Sequence, residues 1–238
     1  MNELRHFVIV VAAGKGLRMG PTTKKQYLQI DGIPILTRTL RVFDHCDPLH
    51  EIILVVPKGD GEYCKTHIID PYGFKKKVHL VEGGEERQHS VLNGLKYIRD
   101  GINCDKEAIV MIHDGVRPFV NQNMIKACIK NAIEYGACIP AVKITDTVKQ
   151  VSPDLVIQKT VNRETLYTAQ TPQAFKLGLL LRAFDHAIKT SFRGTDEASL
   201  VEHSGHKVII IKGSQLNIKI TTPEDLVLGE HFLPTIPQ

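Results

Sequence analysis

The chain has 238 residues, 42% of them hydrophobic and 24% charged, which excludes disordered and collagen-like classes and is long enough to bury a sizeable core. Its 30 Lys and Arg against 26 Asp and Glu give a net charge of +4, suited to anionic small molecules rather than to nucleic acid, and the 6% aromatic content without Trp supplies no stacking platform for bases. The longest apolar run, Phe7–Ala13, falls far short of the ~20 residues that cross a bilayer, and Met1–His6 lacks signal-peptide features. A soluble, cytoplasmic protein with neither nucleic-acid nor membrane partners is expected. Five Cys, an odd number with no C-x-x-C spacing, read as reduced thiols that mostly pack.

Phe7–Val11 is a continuous, mostly β-branched run ending in Ala12-Ala13-Gly14-Lys15-Gly16, which predicts a strand buried on both faces of a parallel sheet. Leu36, Leu40 and Phe43 recur at helical spacing and predict a helix over Ile35–Asp44. Glu51–Val56, stopped by Pro57, predicts a second buried strand, and Lys77–Val81 a third that ends at Gly83-Gly84. A helix over Arg87–Arg99 follows, with Val91, Leu95 and Ile98 on one face. Ala108–Ile112 predicts a fourth strand, leading into a polar loop at His113-Asp114-Gly115. Asn121 or Asn123 then caps a helix whose stripe is Ile125, Cys128, Ile129, Ala132 and Ile133.

Between Ile139 and Phe175 the helical pattern stops. Val142–Val151 and Val156–Val161 alternate around Ser152-Pro153-Asp154 and predict a hairpin arm leaving the sheet. Leu179–Lys189 predicts a helix, Lys207–Lys212 another buried strand, and Pro223 opens a last helix. Strands alternating with helices over the first ~135 residues imply an α/β, doubly wound, mostly parallel sheet. Ligands of such sheets sit at the carboxyl ends of the strands, where strand order switches.

The loops at those ends hold the chemistry. Glycines near Lys15, with Arg18 and Lys25 beyond, allow close backbone approach to a polyphosphate and add positive charge. A tight turn with solvated cations is the bland alternative, since neither a dinucleotide G-x-G-x-x-G nor a Walker A pattern is present. Asp114, at a strand end, is placed as a Mg²⁺ ligand that leaves most of the shell to phosphate and water, and Arg117 can clamp a second anion; an Asp-Gly turn explains the same residues. His113 reads as a satisfied structural histidine before it reads as a base. Gly83-Gly84 allows close approach and Ser90 can bond a base or ribose, while Glu85-Glu86 also suits an acidic first turn. Thr195 or Asp196 can cap a helix. Lys219 stands in an apolar run and requires an anionic partner or an edge position. Together Arg18, Lys25, Arg117, Arg163 and Lys219 supply spaced cations around one metal site, a composition for transfer between phosphorylated substrates.

From Val8 to about Leu228 these segments resemble the 2-C-methyl-D-erythritol 4-phosphate cytidylyltransferase family. The resemblance rests on Ala-Ala-Gly-Lys-Gly-Leu-Arg-Met (12–19), Lys-Gln-Tyr (25–27), Gly-Gly-Glu-Glu-Arg (83–87), His-Asp-Gly-Val-Arg-Pro (113–118), Thr-Val-Asn-Arg (160–163), Gln-Thr-Pro-Gln-Ala-Phe (170–175), Thr-Asp-Glu-Ala-Ser (195–199) and Asn-Ile-Lys-Ile-Thr (217–221), in that order. It implies a single Rossmann-like nucleotidyltransferase domain over 1–238, with a dimerisation arm at about 142–163, working as a homodimer on CTP and a polyol phosphate with Mg²⁺. It further implies catalytic roles for Arg18, Lys25, Arg163 and Lys219, and Mg²⁺ at Asp114. CTP recognition falls to Ala12, Ala13, Gly14, Lys15, Gly16, Gly84, Glu85 and Ser90. The second substrate falls to Asp114, Arg117, Thr147, Arg163, Thr171, Thr195 and Lys219, with Thr147 and Arg163 reaching the other protomer's site. Val116 stands where the family more usually has Ala, and Asn162 where it commonly has an acidic residue. The closest rival is a ribitol-5-phosphate cytidylyltransferase of the same fold, which tends to lack the forms seen at 160–163 and 195–199. A nucleotide-binding module without catalysis is the other alternative, disfavoured because Arg18, Lys25, Asp114 and Lys219 are all present.

Overall fold

The computed structural model describes residues 4–14, 24–102 and 104–233. The first half runs β1 (Phe7–Val11), β2 (Gln29–Ile30), β3 (Ile33–Pro34), α1 (Ile35–Asp44), β4 (Glu51–Val56), α2 (Gly61–Cys64), β5 (Lys77–Glu82), α3 (Arg87–Lys96), β6 (Ile109–Asp114) and α4 (Gln122–Tyr135). The second half runs β7 (Ala137–Lys143), β8 (Val148–Val151), β9 (Ile157–Val161), β10 (Tyr167–Ala169), β11 (Gln173–Lys176), α5 (Leu177–Lys189), α6 (Glu197–His203), β12 (Ile209–Lys212) and α7 (Pro223–Phe232).

The main sheet is ordered β5-β4-β1-β6-β11-β7, and β7 also bonds β10 and, in parallel, β12. β1 pairs in parallel with β4 and β6, and β4 with β5, whereas β11 runs antiparallel to both its neighbours. This is the α/β, mostly parallel sheet expected. Alternation along the strands feeds two cores. Val8, Val10, Ile52, Leu54, Ile109 and Met111 face α1 and α4; Phe7, Ile9, Ile53, Val55, Val110 and Ile112 face α3, α5 and α6. Each such side chain contributes ~1.5–3 kcal/mol on burial, which is why strands covered on both sides read as unbroken apolar runs. A third cluster seats α7 and the Lys219 segment: Ile220 packs with Ile30, Ile35, Val116 and Phe119.

β1, α1 and β4 have the bounds expected. Asn121 caps α4, accepting from the Met124 amide at 2.9 Å, and Asp196 caps α6. Five readings are revised. β6 extends to Asp114, because Val10 pairs with His113 and Val11 with Asp114, so both polar residues belong to the strand. α3 ends at Lys96 and passes into a wider π turn over Tyr97–Ile102. The expected hairpin strand Val142–Val151 is two pieces, the end of β7 and then β8, because Ile144 turns aside to donate its amide to the Leu166 carbonyl. Ile209–Lys212 is a half-covered strand on β7, with Ile210 50% exposed, rather than a buried one. The Lys219 run is not a strand: the Ile220 amide donates to the Val116 carbonyl, and its other ties run through the side chains of Arg117, Asn217 and Lys219. No helix among the described residues is long and apolar enough to cross a membrane.

Candidate active site

β1 has β4 on one side and β6 on the other, and the carboxyl ends of these strands open where strand order reverses. Three loops meet there. The Ala12 amide donates to the Val55 carbonyl, and the Gly83 amide to the Val56 carbonyl. A Cβ on Gly83 would fall 2.3 Å from the Ala13 Cβ, so the first loop and the Gly83-Gly84 turn touch at a distance only glycine permits. Ala13 is thus packed on Gly83, next to Gly84, which brings the first loop and this turn together at the strand ends. Ser90, buried, accepts from the Gly84 amide at 3.1 Å and donates to the Glu86 carbonyl at 3.0 Å, so its hydroxyl shapes the turn. Glu85 and Thr195 are exposed. Lys15, Gly16 and Arg18 lie outside the described residues.

Lys25 opens a single 3-10 turn, Lys25–Tyr27, fixed on both flanks. Lys24 and the Tyr27 hydroxyl both reach Asp60, at 2.6 and 2.7 Å. Gln26, 1% exposed, donates to the Ala12 carbonyl at 2.8 Å and to the Gly14 carbonyl at 3.4 Å. Sequence reasoning quoted Gln26 only as part of a motif, yet it ties the Lys25 turn to the first loop. Gln26→Ala should orphan the buried Ala12 carbonyl, costing roughly 1–3 kcal/mol. Denaturant melts check this.

Asp114 is the electrostatic centre. Its Oδ2 lies 3.0 Å from Lys219 Nζ and 3.4 Å from Arg117 Nε, and its Oδ1 lies 3.5 Å from Arg87 Nε. Burial alone would raise the carboxyl's pKa; Lys219 first, then Arg87 and Arg117, overcome this and hold it well below the usual carboxylate range. The anionic partner that Lys219 required is thus Asp114. Arg117 is partly spent within the protein, donating from Nη1 to the Asn217 carbonyl at 2.7 Å, which binds the 217–220 segment to the Asp114 loop.

Thr171 and His113 support this centre from below. His113 Nε2 faces the Arg117 carbonyl at 3.0 Å, an acceptor only, so Nε2 carries the proton and Nδ1 accepts. The Thr171 hydroxyl, 3.0 Å from Nδ1, therefore donates to it and accepts the Asp114 amide at 3.2 Å. Thr171 is buried and committed to this chain of bonds. Burial lowers the His113 pKa from 6.5 to about 4 and keeps the ring neutral, in line with the structural reading of this residue. The unfolded chain takes up a proton between pH 6.5 and about 4 that the folded chain refuses, so stability should fall as pH drops through that window, by about 3 kcal/mol for this group. Urea titrations at the two ends should show this slope, and His113→Gln should lose that share of it.

Arg87 and Glu197 went unnoticed as site residues. Arg87 Nη1 binds Glu197 Oε1 at 2.6 Å, and Glu197 is fully buried. Thr147 and Arg163 bracket the β8–β9 hairpin, both exposed, and Arg163 donates to the Thr145 carbonyl; neither is joined to the Asp114 centre of its own chain by any contact seen among the described residues.

The family model described as IspD, 2-C-methyl-D-erythritol 4-phosphate cytidylyltransferase, matches residues 6–235. The chain belongs to the IspD family. Among similar proteins, the 2-C-methyl-D-erythritol 4-phosphate cytidylyltransferase of Alkaliphilus oremlandii is 46% identical over 98% of this chain and 97% of its own, and that of Geobacillus thermodenitrificans 43% over 97% of each. The crystal structure of 4-diphosphocytidyl-2C-methyl-D-erythritol synthase from Anaerococcus prevotii superposes with a TM-score of 0.82 at 33% identity, covering 97% of this chain and 96% of that one. The Francisella tularensis cytidylyltransferase structure gives 0.81 at 32%, covering 96% and 100%. The matched span takes in the loops that meet at the strand ends.

No group of three or more His, Cys, Asp or Glu converges as a metal centre among the described residues. Asp114 brings one carboxylate to the strand ends where the loops meet, while Glu197 of the same cluster is buried on Arg87. That donor set fits Mg²⁺ held mainly by phosphate and water, arriving with a nucleotide, since this ion keeps much of its shell and takes only one or two carboxylates.

Proposed function

We propose that the chain joins CTP and 2-C-methyl-D-erythritol 4-phosphate, giving 4-diphosphocytidyl-2-C-methyl-D-erythritol and pyrophosphate, a step of isoprenoid precursor synthesis. The observation that carries this reading is the cluster of Lys219, Arg117 and Arg87 about Asp114 at the strand ends of an IspD-family sheet. An oxygen of the substrate's phosphate attacks the α-phosphorus of CTP. The bond from that phosphorus to the bridging oxygen breaks, and its electrons leave with pyrophosphate. The nucleophile is already anionic, so a strong base is not required and catalysis is orientation plus charge stabilisation. That accords with a neutral, internally bonded His113.

The backbone of Ala12–Gly16, with Gly84, Glu85 and Ser90, receives the nucleotide; Ser90 acts by holding the Gly84 amide. Arg18 and Lys25 stabilise charge on the transferring phosphoryl group. Lys219, Arg117, Thr171 and Thr195 serve the second substrate, Thr171 through the Asp114 amide it accepts. Asp114 would hold Mg²⁺, which when bound neutralises triphosphate charge. Ribitol 5-phosphate is the less favoured acceptor, since the family model and the relatives above bear the methylerythritol name. Pyrophosphate release with CTP and each polyol phosphate in parallel tests the reading. Preference for ribitol 5-phosphate, or no release with either, would overturn it.

The protein acts, in this reading, as one nucleotidyltransferase domain that dimerises through its arm. A two-stranded hairpin is marginal alone in water, and the turn of this one and the start of β9 expose Leu155, Val156 and Ile157 at 81%, 64% and 59%. Burial against a second copy explains that surface, and Thr147 and Arg163 would then serve the other protomer's site. Sedimentation equilibrium should give a dimer, and L155S/V156S/I157S should shift it towards monomer. Five free thiols support a reducing, cytoplasmic setting.

A further inference from the structure

We propose that Arg87 is a positioning residue of the transfer reaction: anchored by the buried Glu197, its guanidinium holds Oδ1 of Asp114 and ties the Gly83–Glu86 turn to the loop that carries Thr195. The inference rests on the cytidylyltransferase reading and deepens it.

Arg87 is the first residue of α3, directly after the Gly83-Gly84 turn. Its guanidinium spans two carboxylates from distant parts of the chain, Glu197 at 2.6 Å and Asp114 at 3.5 Å. Lysine, a point charge, cannot bridge two acids with the planar fork that arginine presents. Glu197 is 1% exposed, and its Oε2 has no hydrogen-bond partner. A buried carboxylate satisfied on one oxygen is a poor stabilising device, because desolvation offsets much of the attraction. Its value lies in aiming Arg87. Two further links join the same segments: the Gly194 amide donates to Gln88 Oε1 at 3.3 Å, and Arg193 reaches Glu86 at 3.0 Å. From the opposite side, buried Gln173 donates to Asp196 at 2.7 Å and accepts the Ala198 amide at 3.0 Å, fixing the start of α6. The turn expected to meet cytidine and the loop expected to meet the second substrate are thus cross-linked through one guanidinium, which also rests on Asp114.

The test is steady-state kinetics and thermal melting of Arg87→Ala, Arg87→Lys and Glu197→Gln, with methylguanidinium or methylammonium added. Arg87→Ala should lose ~10²-fold in kcat with a smaller rise in the KM for CTP, as expected when reacting groups are misplaced by about an ångström. Methylguanidinium should restore its rate saturably and methylammonium should not. Arg87→Lys should keep the melting temperature and still lose kcat, which separates positioning from folding if the alanine variant proves unstable. Glu197→Gln should lower kcat without rescue by either cation. Wild-type kcat in Arg87→Lys, a defect confined to the KM for CTP, or restoration by methylammonium as good as by methylguanidinium would overturn the proposal. A wild-type chain that releases no pyrophosphate overturns the reaction assignment as well. An active wild type with fully active Arg87 variants overturns the positioning role alone.

Discussion

Lys219→Met should lower kcat by about 10²–10³ while leaving the fold intact, the loss typical of removing one preorganised charge from a site of developing negative charge. Its side chain is 36% exposed, and Asp114 keeps Arg87 and Arg117 when the ammonium is gone, so no buried charge is left uncompensated. The melting temperature should therefore move little. Lys219→Arg should restore only part of the rate, because the bulkier, planar head must share Oδ2 with Arg117. Pyrophosphate release with both substrates saturating is the measurement. Turnover within about threefold of wild type would remove Lys219 from the chemistry.

Asp114→Asn should be more damaging to the protein as a whole. The substitution keeps the shape and removes the one anion shared by Lys219, Arg117 and Arg87, leaving Glu197 as the remaining carboxylate contact of the cluster, on Arg87 alone. Removing one member of a buried ion cluster costs about 3–5 kcal/mol, or a fall on the order of 10 °C in a domain of this size. Turnover should vanish with it. The vacated charge should also make the variant respond to inorganic phosphate: its melting temperature should rise with added phosphate more steeply than that of wild type. Scanning calorimetry across a phosphate series reads both effects. A melting temperature unchanged from wild type would show that the three cations do not depend on Asp114.

Phe7–Val11 and Glu51–Val56 were legible because strands covered on both faces leave no polar alternation to misread, and Ile35–Asp44 because Leu36, Leu40 and Phe43 all enter one core. Between Ile139 and Phe175 the hairpin about Ser152-Pro153-Asp154 was legible, as β8 and β9, but the two strands after it were not. β10 and β11 are three and four residues long, and their place is set by β6 and β7, partners remote in sequence. Lys219 could be read because an ammonium in an apolar run demands an anion, and Asp114 because it stands at the carboxyl end of a buried run. The link between Arg87 and Glu197 crosses 110 residues. Each looked ordinary alone, a charge in the first turn of a helix, so nothing local announced the pair. His113 was rightly read as structural, though its two bonds, one to the Arg117 carbonyl and one to Thr171, become visible only once the 170–173 segment is in place.

The antiparallel β11 lies between β6 and β7, and reaches that slot only after the chain has passed through the whole hairpin. A nascent polypeptide emerging N-terminus first would hold β6 with an unpaired flank of amide and carbonyl groups until residues 173–176 left the ribosome. Thr171 precedes that strand by two positions, so the Asp114 amide gains its acceptor in the same late event. Satisfaction of the Asp114 amide and protection of the sheet from mispairing are therefore one step in biosynthesis, and a product truncated before residue 173 would gain neither.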